Sequence, residues 1–317
     1  MKRIKRHYAE HYENVLGTSM DLKVICTSRR NFEKGELAVF DEIRRLSRIF
    51  STYDANSEFS RWMRTLQQPL PISNELFEVL DLFDNWRERT NGALDASAAI
   101  VIRVWKQAAA RGKLPSRAEL DGAITEAKQP HWRLDHVSRS ATHLSTSPLV
   151  LNTFVKSYII RHAADAGKVA SQAAAIIVNI GGDLIVSGNL DETVLVSDPR
   201  ADAENDLPLD RIRISNKAVA TSGGYRRGEL IQKDWYSHIV DPRTGEPAKD
   251  TLSATVVAPN ATDAGALATA FNVIDSSEIV KLTDRLEQIE YLIITSSGKR
   301  IESSGWKKME KIGSPVN

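Results

Sequence analysis

The chain has 317 residues, of which 42% are apolar and 26% charged, so it is long enough to bury a core without a disulfide or a structural metal. Its formal charge of +1 gives no reason to expect nucleic acid or an anionic membrane as a partner, and its one cysteine, Cys26, excludes an internal disulfide. No apolar run is long enough to span a bilayer, and the basic start at 1–13 is not followed by the apolar stretch of an export signal. As written, the chain is therefore predicted to be a soluble, cytoplasmic protein, or a periplasmic one if an export signal has been removed.

The first half of the chain is predicted to be mainly helical. Ser73 is a plausible N-cap, and Ser116 with Glu119 forms a capping-box pattern. The segment 50–63 is polar and turn-rich. In chain order, the patterns predict a strand at 20–27 and helices at 31–50, 73–90 and 117–128.

The second half alternates between strands and helices without a regular rhythm. The run 175–180 is β-branched and apolar and leads directly into Gly181-Gly182-Asp183. Helices are predicted at 154–170, 263–273 and finally 277–287, and strands at 175–180, 184–188, 192–197, 211–215, 217–222, 252–258 and in a hairpin over 291–302. The irregular order favours one α+β domain over 1–317, with a mixed, largely antiparallel sheet and flanking helices.

Several segments are richer in Gly, Asp, Ser and Thr than ordinary loops. They are 53–58, 91–97, 178–184 and 219–245. Glycines that follow strands allow backbone N–H groups to approach phosphate oxygens closely, because no Cβ intervenes. For any single Gly-Gly pair, a tight turn without a ligand is the alternative interpretation.

The order of these segments resembles the ApbE family of FAD:protein FMN transferases over about residues 15–300. The matching motifs are Gly17-Thr18, Tyr53 with Asn56-Ser57-Glu58, Gly92-Ala93-Leu94-Asp95, Val178–Leu184, Ala218–Arg226, His238–Gly245 and Ala266–Ala270. The resemblance implies a T-fold-like domain that binds FAD and Mg²⁺. It also implies transfer of FMN to a Ser or Thr hydroxyl of a target protein, with release of AMP.

The resemblance assigns the central chemical role to His238. An imidazole titrates near neutral pH, so it is suited to take the proton of the acceptor hydroxyl. A histidine that is hydrogen-bonded at a strand end, ahead of a turn at Asp241-Pro242-Arg243, is the alternative. Asp241 and Thr244 are expected to shape that turn.

The resemblance also implies that FAD lies in a cleft between the loops 53–58, 180–183 and 238–245. The implied cofactor-binding residues are Tyr53, Leu94, Asp95, Lys156, Gly181, Gly182, Asp183, Ser222, Gly223, His238, Ile239 and Thr244.

Three of these residues have structural alternatives. Tyr53 either stacks on a heterocyclic ring or packs at a helix exit. Asp183 could accept from a ribose hydroxyl, fix the Gly-Gly turn through its own backbone, or do both. Asp95 either contacts the flavin or caps the apolar segment that follows it.

The family's metal motifs are altered in this chain. The implied metal residues are Thr153 through its carbonyl, Asp263 and Thr269. Gly265 stands where the family has its last metal carboxylate, and two residues rotate a helical side chain by about 200°, so Asp263 does not share the face of Thr269. Asp263 is alternatively the N-cap of its helix.

In the run 149–157, which leads into the 154–170 helix, Lys156 matches the family's motif. Val150, Asn152, Thr153 and Ser157 replace its other expected residues.

The sequence therefore supports a FAD:protein FMN transferase. The altered metal motifs keep open a FAD-binding paralogue without transferase activity, and an enzyme that splits FAD with water.

Overall fold

The computed structural model describes residues 5–201 and 207–310. Its first half contains β1 (Arg6–Val15), β2 (Thr18–Cys26), α1 (Arg29–Phe50), α2 (Glu58–Met63), β3 (Pro69–Pro71), α3 (Asn74–Arg89), α4 (Ala98–Arg111), α5 (Arg117–Ala127), β4 (Trp132–Asp135) and β5 (Ser140–His143). Its second half contains α6 (Val155–Ser171), β6 (Ala175–Ile180), β7 (Asp183–Gly188), β8 (Asp191–Val196), β9 (Asp210–Ser215), β10 (Ala218–Gly223), β11 (Gly228–Ile231), β12 (Asp234–Ser237), β13 (Thr251–Ala258), α7 (Ala261–Ala270), α8 (Ser276–Thr283), β14 (Glu290–Thr295), β15 (Arg300–Glu302) and α9 (Trp306–Met309).

An eight-stranded sheet in the order β1-β2-β6-β7-β10-β13-β14-β15 organises the fold, and its neighbouring strands pair antiparallel. Alternate residues of a strand point to opposite faces, and β6 shows the consequence. Ile176 and Val178 pack into a core shared with α1, α6 and α7, whereas Ile177 faces a second core formed with β8, β9 and Trp306. The predicted α+β class with a largely antiparallel sheet is confirmed.

A third apolar cluster lies outside the sheet. It joins α4 and α5 to the β11–β12 hairpin through buried residues that include Trp105, Ile231 and Val240. This cluster holds the segment 238–245 in place, since Val240 is one of its members and Trp105 Nε1 donates to the Gly245 carbonyl at 2.8 Å. Among the described residues, no helix has the length and apolar character needed to cross a membrane.

Several local predictions are confirmed at the level of individual hydrogen bonds. Ser73 caps α3 by accepting from the Leu76 N–H, and Ser116 with Glu119 forms the reciprocal capping box of α5. The predicted strand 175–180 matches β6, and the predicted helix 154–170 matches α6 within one residue. The last predicted helix, 277–287, is shorter than expected, since α8 ends at Thr283. The short helix α9, which comes after β15, was not predicted.

The helices α1 and α6 touch through two glycines. A Cβ on Gly167 would lie 2.5 Å from Val39 Cγ2, and one on Gly35 would lie 2.7 Å from Ser171 Cβ. Real Cβ atoms do not approach this closely, so each glycine is needed for the helices to pack at this distance.

We expect Gly167→Ala to destabilise the fold by about 1–3 kcal/mol, because the added methyl overpacks the contact with Val39. Gly122 lies in α5 with nothing within 4 Å of its Cβ position, so Gly122→Ala is the matched control. That control is expected to stabilise the protein by about 0.5–1 kcal/mol through helix propensity. Urea denaturation of both variants measures the difference, and equal effects would contradict the close packing of α1 on α6.

Candidate active site

The Gly-Gly pair forms the two-residue turn of the β6–β7 hairpin. Gly181 and Gly182 have φ of 55° and 89°, and backbone pairing of Ile180 with Asp183 closes the turn. Asn179 Oδ1 accepts from the Gly182 N–H at 3.1 Å. Such a turn needs positive φ at both positions, which explains the glycines without a ligand. No atom lies within 4 Å of the Cβ position of Gly182, so the surface of the turn is open on that side.

Asp183 links the turn to α6 and β10. Its carboxylate accepts from Lys156 Nζ at 2.7 Å and from the Thr221 N–H at 3.2 Å. Burial raises the pKa of Asp183, and the ammonium of Lys156 opposes that rise. The side chain therefore holds Lys156 beside the Gly-Gly turn. Its backbone also closes the turn, which confirms one of the two roles expected for Asp183.

The residues before α6 meet α7 at two predicted metal residues. Thr269 Oγ1 donates to the carbonyl of Thr153 at 3.5 Å and to that of Gly265 at 3.2 Å. A Cβ on Gly265 would lie 2.6 Å from Ser157 Oγ. Thr153 and Thr269, which the resemblance assigns to a metal site, are therefore neighbours, whereas the contact of Gly265 with Ser157 was not predicted.

Asp263 does not cap α7. Asn260 is the N-cap and accepts from the Thr262 N–H at 2.9 Å, so the helix begins at Ala261, two residues earlier than predicted. The prediction was wrong because Asn260 and Asp263 are both suitable caps and only the backbone conformation selects between them. Burial raises the pKa of Asp263, and its cationic neighbours are Arg89 and Arg161.

His238 follows β12 and is anchored to the preceding loop. Its N–H donates to the Arg227 carbonyl at 3.2 Å, and its Nδ1 lies 3.0 Å from the same oxygen. A carbonyl oxygen only accepts, so Nδ1 carries the proton and Nε2 keeps its lone pair. Although the side chain is exposed overall, the surrounding protein removes enough water from the ring to lower the pKa of His238. The strand-end hydrogen bond expected as an alternative is present, and it orients the ring as a base would require.

The end of β10 connects His238 to the other segments. Asn272 Nδ2 donates to the Ser222 carbonyl at 3.2 Å, which ties β10 to the residues after α7. Gly224 lies against Ser237, where a Cβ would collide with the Ser237 hydroxyl. That hydroxyl accepts from the Ile239 N–H at 3.0 Å. Gly223 itself pairs with Ser253 of β13.

The turn after His238 is fixed by charge. Asp241 accepts from the backbone N–H and the guanidinium of Arg243, at 2.8 Å in each case, and Arg243 also pairs with Glu278 at 2.8 Å. The Thr244 N–H donates to the Asp241 carbonyl at 3.2 Å. The prediction that Asp241 and Thr244 shape this turn is confirmed. The partner Glu278 lies 35 residues away on α8 and has no local sequence signal.

The segment 91–97 is held from both sides. The Asp95 carboxylate accepts from the Ser97 N–H at 2.8 Å and pairs with Arg87 at 2.8 Å. These bonds hold Asp95 just before α4, but the N-cap of that helix is Ser97, so the alternative that Asp95 caps it is wrong. Leu94 is buried in the core with 2% exposure, and Ala96 accepts from the Val150 N–H at 2.9 Å.

The ring of Tyr53 is 92% exposed, so the prediction that it packs at the helix exit is wrong. Its loop is held locally, by Ser57 Oγ donating to the Ser51 carbonyl at 2.6 Å and by Asp54 accepting from the Asn56 N–H. Ser57 is in addition the N-cap of α2, which the polar composition of 50–63 concealed. The ring is therefore free to meet a planar ligand from solvent.

Two surface cavities adjoin the segments that the sequence singled out. One of about 460 Å³ lies between 91–97 and Pro242-Arg243. Another of about 260 Å³ lies beside Asn179 and Gly182, under the edge of β8. Neither cavity is lined by His238 or Tyr53. Neither is therefore the single cleft predicted between the loops 53–58, 180–183 and 238–245.

Six of the fifteen predicted site residues, namely Thr153, Lys156, Asp183, Ser222, His238 and Thr269, are nevertheless joined by contacts or by short stretches of chain. Thr269 contacts the carbonyls of Thr153 and Gly265, and Gly265 lies against Ser157, the residue after Lys156. Lys156 pairs with Asp183, which accepts from the N–H of Thr221, the residue before Ser222. Gly224, two residues after Ser222, lies against Ser237, the residue before His238. Segments far apart in the chain therefore converge on one region, with Tyr53 on a separate exposed loop.

Comparisons with known proteins agree with this architecture. The model of the ApbE family matches residues 16–293. A Haemophilus influenzae protein named FAD:protein FMN transferase is 26% identical over 307 residues, covering 91% of this chain and 86% of the relative. A Vibrio cholerae protein of the same name is 29% identical, covering 81% and 79%.

Solved structures show the same fold. The ApbE protein from Thermotoga maritima superposes with a TM-score of 0.83 at 24% identity, covering 96% of this chain and 100% of that one. The apo flavinyl transferase ApbE from Pseudomonas stutzeri gives a TM-score of 0.76 at 18% identity, covering 97% and 98%.

Proposed function

This chain belongs to the ApbE family, and from that membership we propose that it is a FAD:protein FMN transferase. The relatives that match most of its length carry that name. The observation that carries the proposal is that β10 and its following residues connect Lys156 and the open Gly-Gly turn to His238, through the Asp183–Thr221 and Gly224–Ser237 contacts. These groups supply a cation, an approachable backbone and a base, which transfer of a phosphoryl group to a hydroxyl requires.

In this proposal the FAD pyrophosphate lies near Lys156 and the Gly-Gly turn. The side chain of Lys156 is 34% exposed and its ammonium is held by Asp183, so it offers an incoming phosphate a positioned charge. The open side of Gly182 leaves room for close approach of phosphate oxygens. The exposed ring of Tyr53 is then available to stack on a ring of FAD.

His238 acts on the acceptor hydroxyl of the target protein. Nε2 takes the hydroxyl proton as the Ser or Thr oxygen attacks the phosphorus of the FMN half. The bond from that phosphorus to the bridging oxygen breaks, and AMP leaves with the bridging oxygen. Neutral imidazole is the form that accepts a proton, and the lowered pKa of His238 favours it at neutral pH.

The residues present do not fit a divalent cation held by the protein alone. Thr153 and Gly265 offer carbonyls and Thr269 a hydroxyl, and that hydroxyl lies within hydrogen-bond distance of both carbonyls as their donor. A hard dication prefers carboxylate oxygens, and the described residues contain no group of three or more His, Cys, Asp or Glu side chains arranged for a metal.

The test is incubation of the purified protein with FAD and an acceptor protein of an ApbE-family flavin transferase, with and without added Mg²⁺. We expect mass spectrometry to find FMN bound covalently to a Ser or Thr of the acceptor, with one AMP released per adduct. Bound FAD without adduct or AMP would contradict the proposal and indicate a binding protein. Release of FMN and AMP without adduct would indicate hydrolysis.

A further inference from the structure

The contact between α6 and α7 leaves no room for a side chain at position 265. A Cβ on Gly265 would lie 2.6 Å from Ser157 Oγ, 3.2 Å from Ser157 Cβ and 3.4 Å from the Phe154 Cα. Ser157 is buried, with 3% exposure. Its side chain therefore fills the space in which a residue 265 side chain would start.

Gly265 and Thr269 are one helical turn apart, so they share a face of α7. A carboxylate at position 265 would consequently stand beside the Thr269 hydroxyl and the Thr153 carbonyl. In this chain the corresponding side-chain oxygen is the neutral hydroxyl of Ser157.

The nearest acid in sequence does not replace that carboxylate. Asp263 is two residues from Gly265, which places it about 200° around the helix axis. The charges that act on it come from Arg89 and Arg161, on α3 and α6. The single proton of the Thr269 hydroxyl is shared between the carbonyls of Thr153 and Gly265.

We propose that the Ser157–Gly265 pair makes the contact between α6 and α7 a neutral site of hydroxyls and carbonyls, and that this site does not hold Mg²⁺ in the FAD-free protein. Ser157 both removes the room for a carboxylate and occupies its position. The inference concerns the protein without FAD, and it holds or fails independently of the proposed transferase activity.

The test restores the carboxylate and the room for it together. We expect calorimetric titration of the FAD-free wild-type protein with Mg²⁺ to show no binding up to millimolar concentration. Ser157→Gly/Gly265→Asp is expected to bind one Mg²⁺ at least about tenfold more tightly than wild type, because it adds a negative oxygen to the three neutral ones. Its melting temperature should rise with added Mg²⁺.

The single variants separate the two parts of the proposal. Gly265→Asp alone should melt at a lower temperature and gain no affinity, because Ser157 blocks the new side chain. Ser157→Gly alone should gain none because it adds no charge. Gly122→Asp adds a carboxylate at an open position of α5 and serves as the control for non-specific attraction.

Two results would overturn the proposal. One is stoichiometric, submillimolar Mg²⁺ binding to the FAD-free wild-type protein. The other is Gly265→Asp binding Mg²⁺ as tightly as the double variant does. If circular dichroism shows that the double variant does not fold, the wild-type titration alone decides. No step of this experiment uses an acceptor protein, so its outcome is distinct from that of the flavin-transfer assay.

Discussion

Replacing His238 by alanine is expected to lower the rate of FMN transfer by about 10²–10⁴-fold, the range for loss of a general base. The ring is oriented by its Nδ1 bond to the Arg227 carbonyl, which leaves Nε2 to accept a proton. FAD binding should remain within a few-fold of wild type, because Lys156 and the Gly-Gly turn are untouched. Stopped-flow or quenched mass spectrometry gives the rate, and flavin fluorescence gives the affinity.

The pH dependence of the reaction tests the same residue. The pKa of His238 is lowered mainly by partial desolvation of its ring, so its neutral form persists below the ordinary value of 6.5. The rate should therefore be full above pH 6.5 and fall only as the pH drops through the lowered pKa.

His136, an exposed histidine whose ring packs against Phe77, provides the control. His136→Ala should keep both rate and pH profile. A His238→Ala variant with near wild-type rate would show that the base lies elsewhere.

Sequence reasoning succeeded where the information was local. The caps at Ser73 and Ser116 and the buried strand β6 each depend on residues a few positions apart, and all are present. The Gly-Gly turn belongs to the same class, because positive φ at two successive positions leaves little choice of residue.

It failed where local composition was ambiguous. β1 carries many charges because it is an edge strand with one face in solvent, so it did not show a strand's apolar alternation. α4 begins with a run of β-branched and apolar residues and its N-cap, Ser97, makes no side-chain capping bond, so no start signal marked it as a helix.

The site shows the same division. The segments were identified from their motifs, but their contacts were not, because partners such as Ser157 and Gly265 become neighbours only through the packing of α6 on α7. Likewise the pairing of Lys156 with Asp183 depends on where α6 lies over the β6–β7 hairpin. Contacts between segments this far apart in the chain cannot be predicted from a single sequence.

Lys156→Met is expected to destabilise the protein by about 3 kcal/mol at neutral pH. The reason is that it leaves the buried carboxylate of Asp183 without its cation. This figure is at the lower end for a broken buried pair because Lys156 is itself 34% exposed, so solvent already screens part of the attraction. Asp183→Asn/Lys156→Met should recover most of the loss, since the amide oxygen still accepts from the Thr221 N–H without carrying charge.

The stability lost in Lys156→Met should depend on pH in the direction expected for a carboxyl group whose pKa is raised in the folded state. In Lys156→Met the folded pKa of Asp183 should stand further above the ordinary 3.8, so the folded state binds more protons than the unfolded state. Stability is then greatest below pH 3.8, with respect to this group, and falls as the pH rises through the folded pKa. Urea denaturation between pH 4 and 8 measures the slope, which the double variant should lack. An equal slope in both variants would mean that Asp183 is not the carboxylate that Lys156 neutralises.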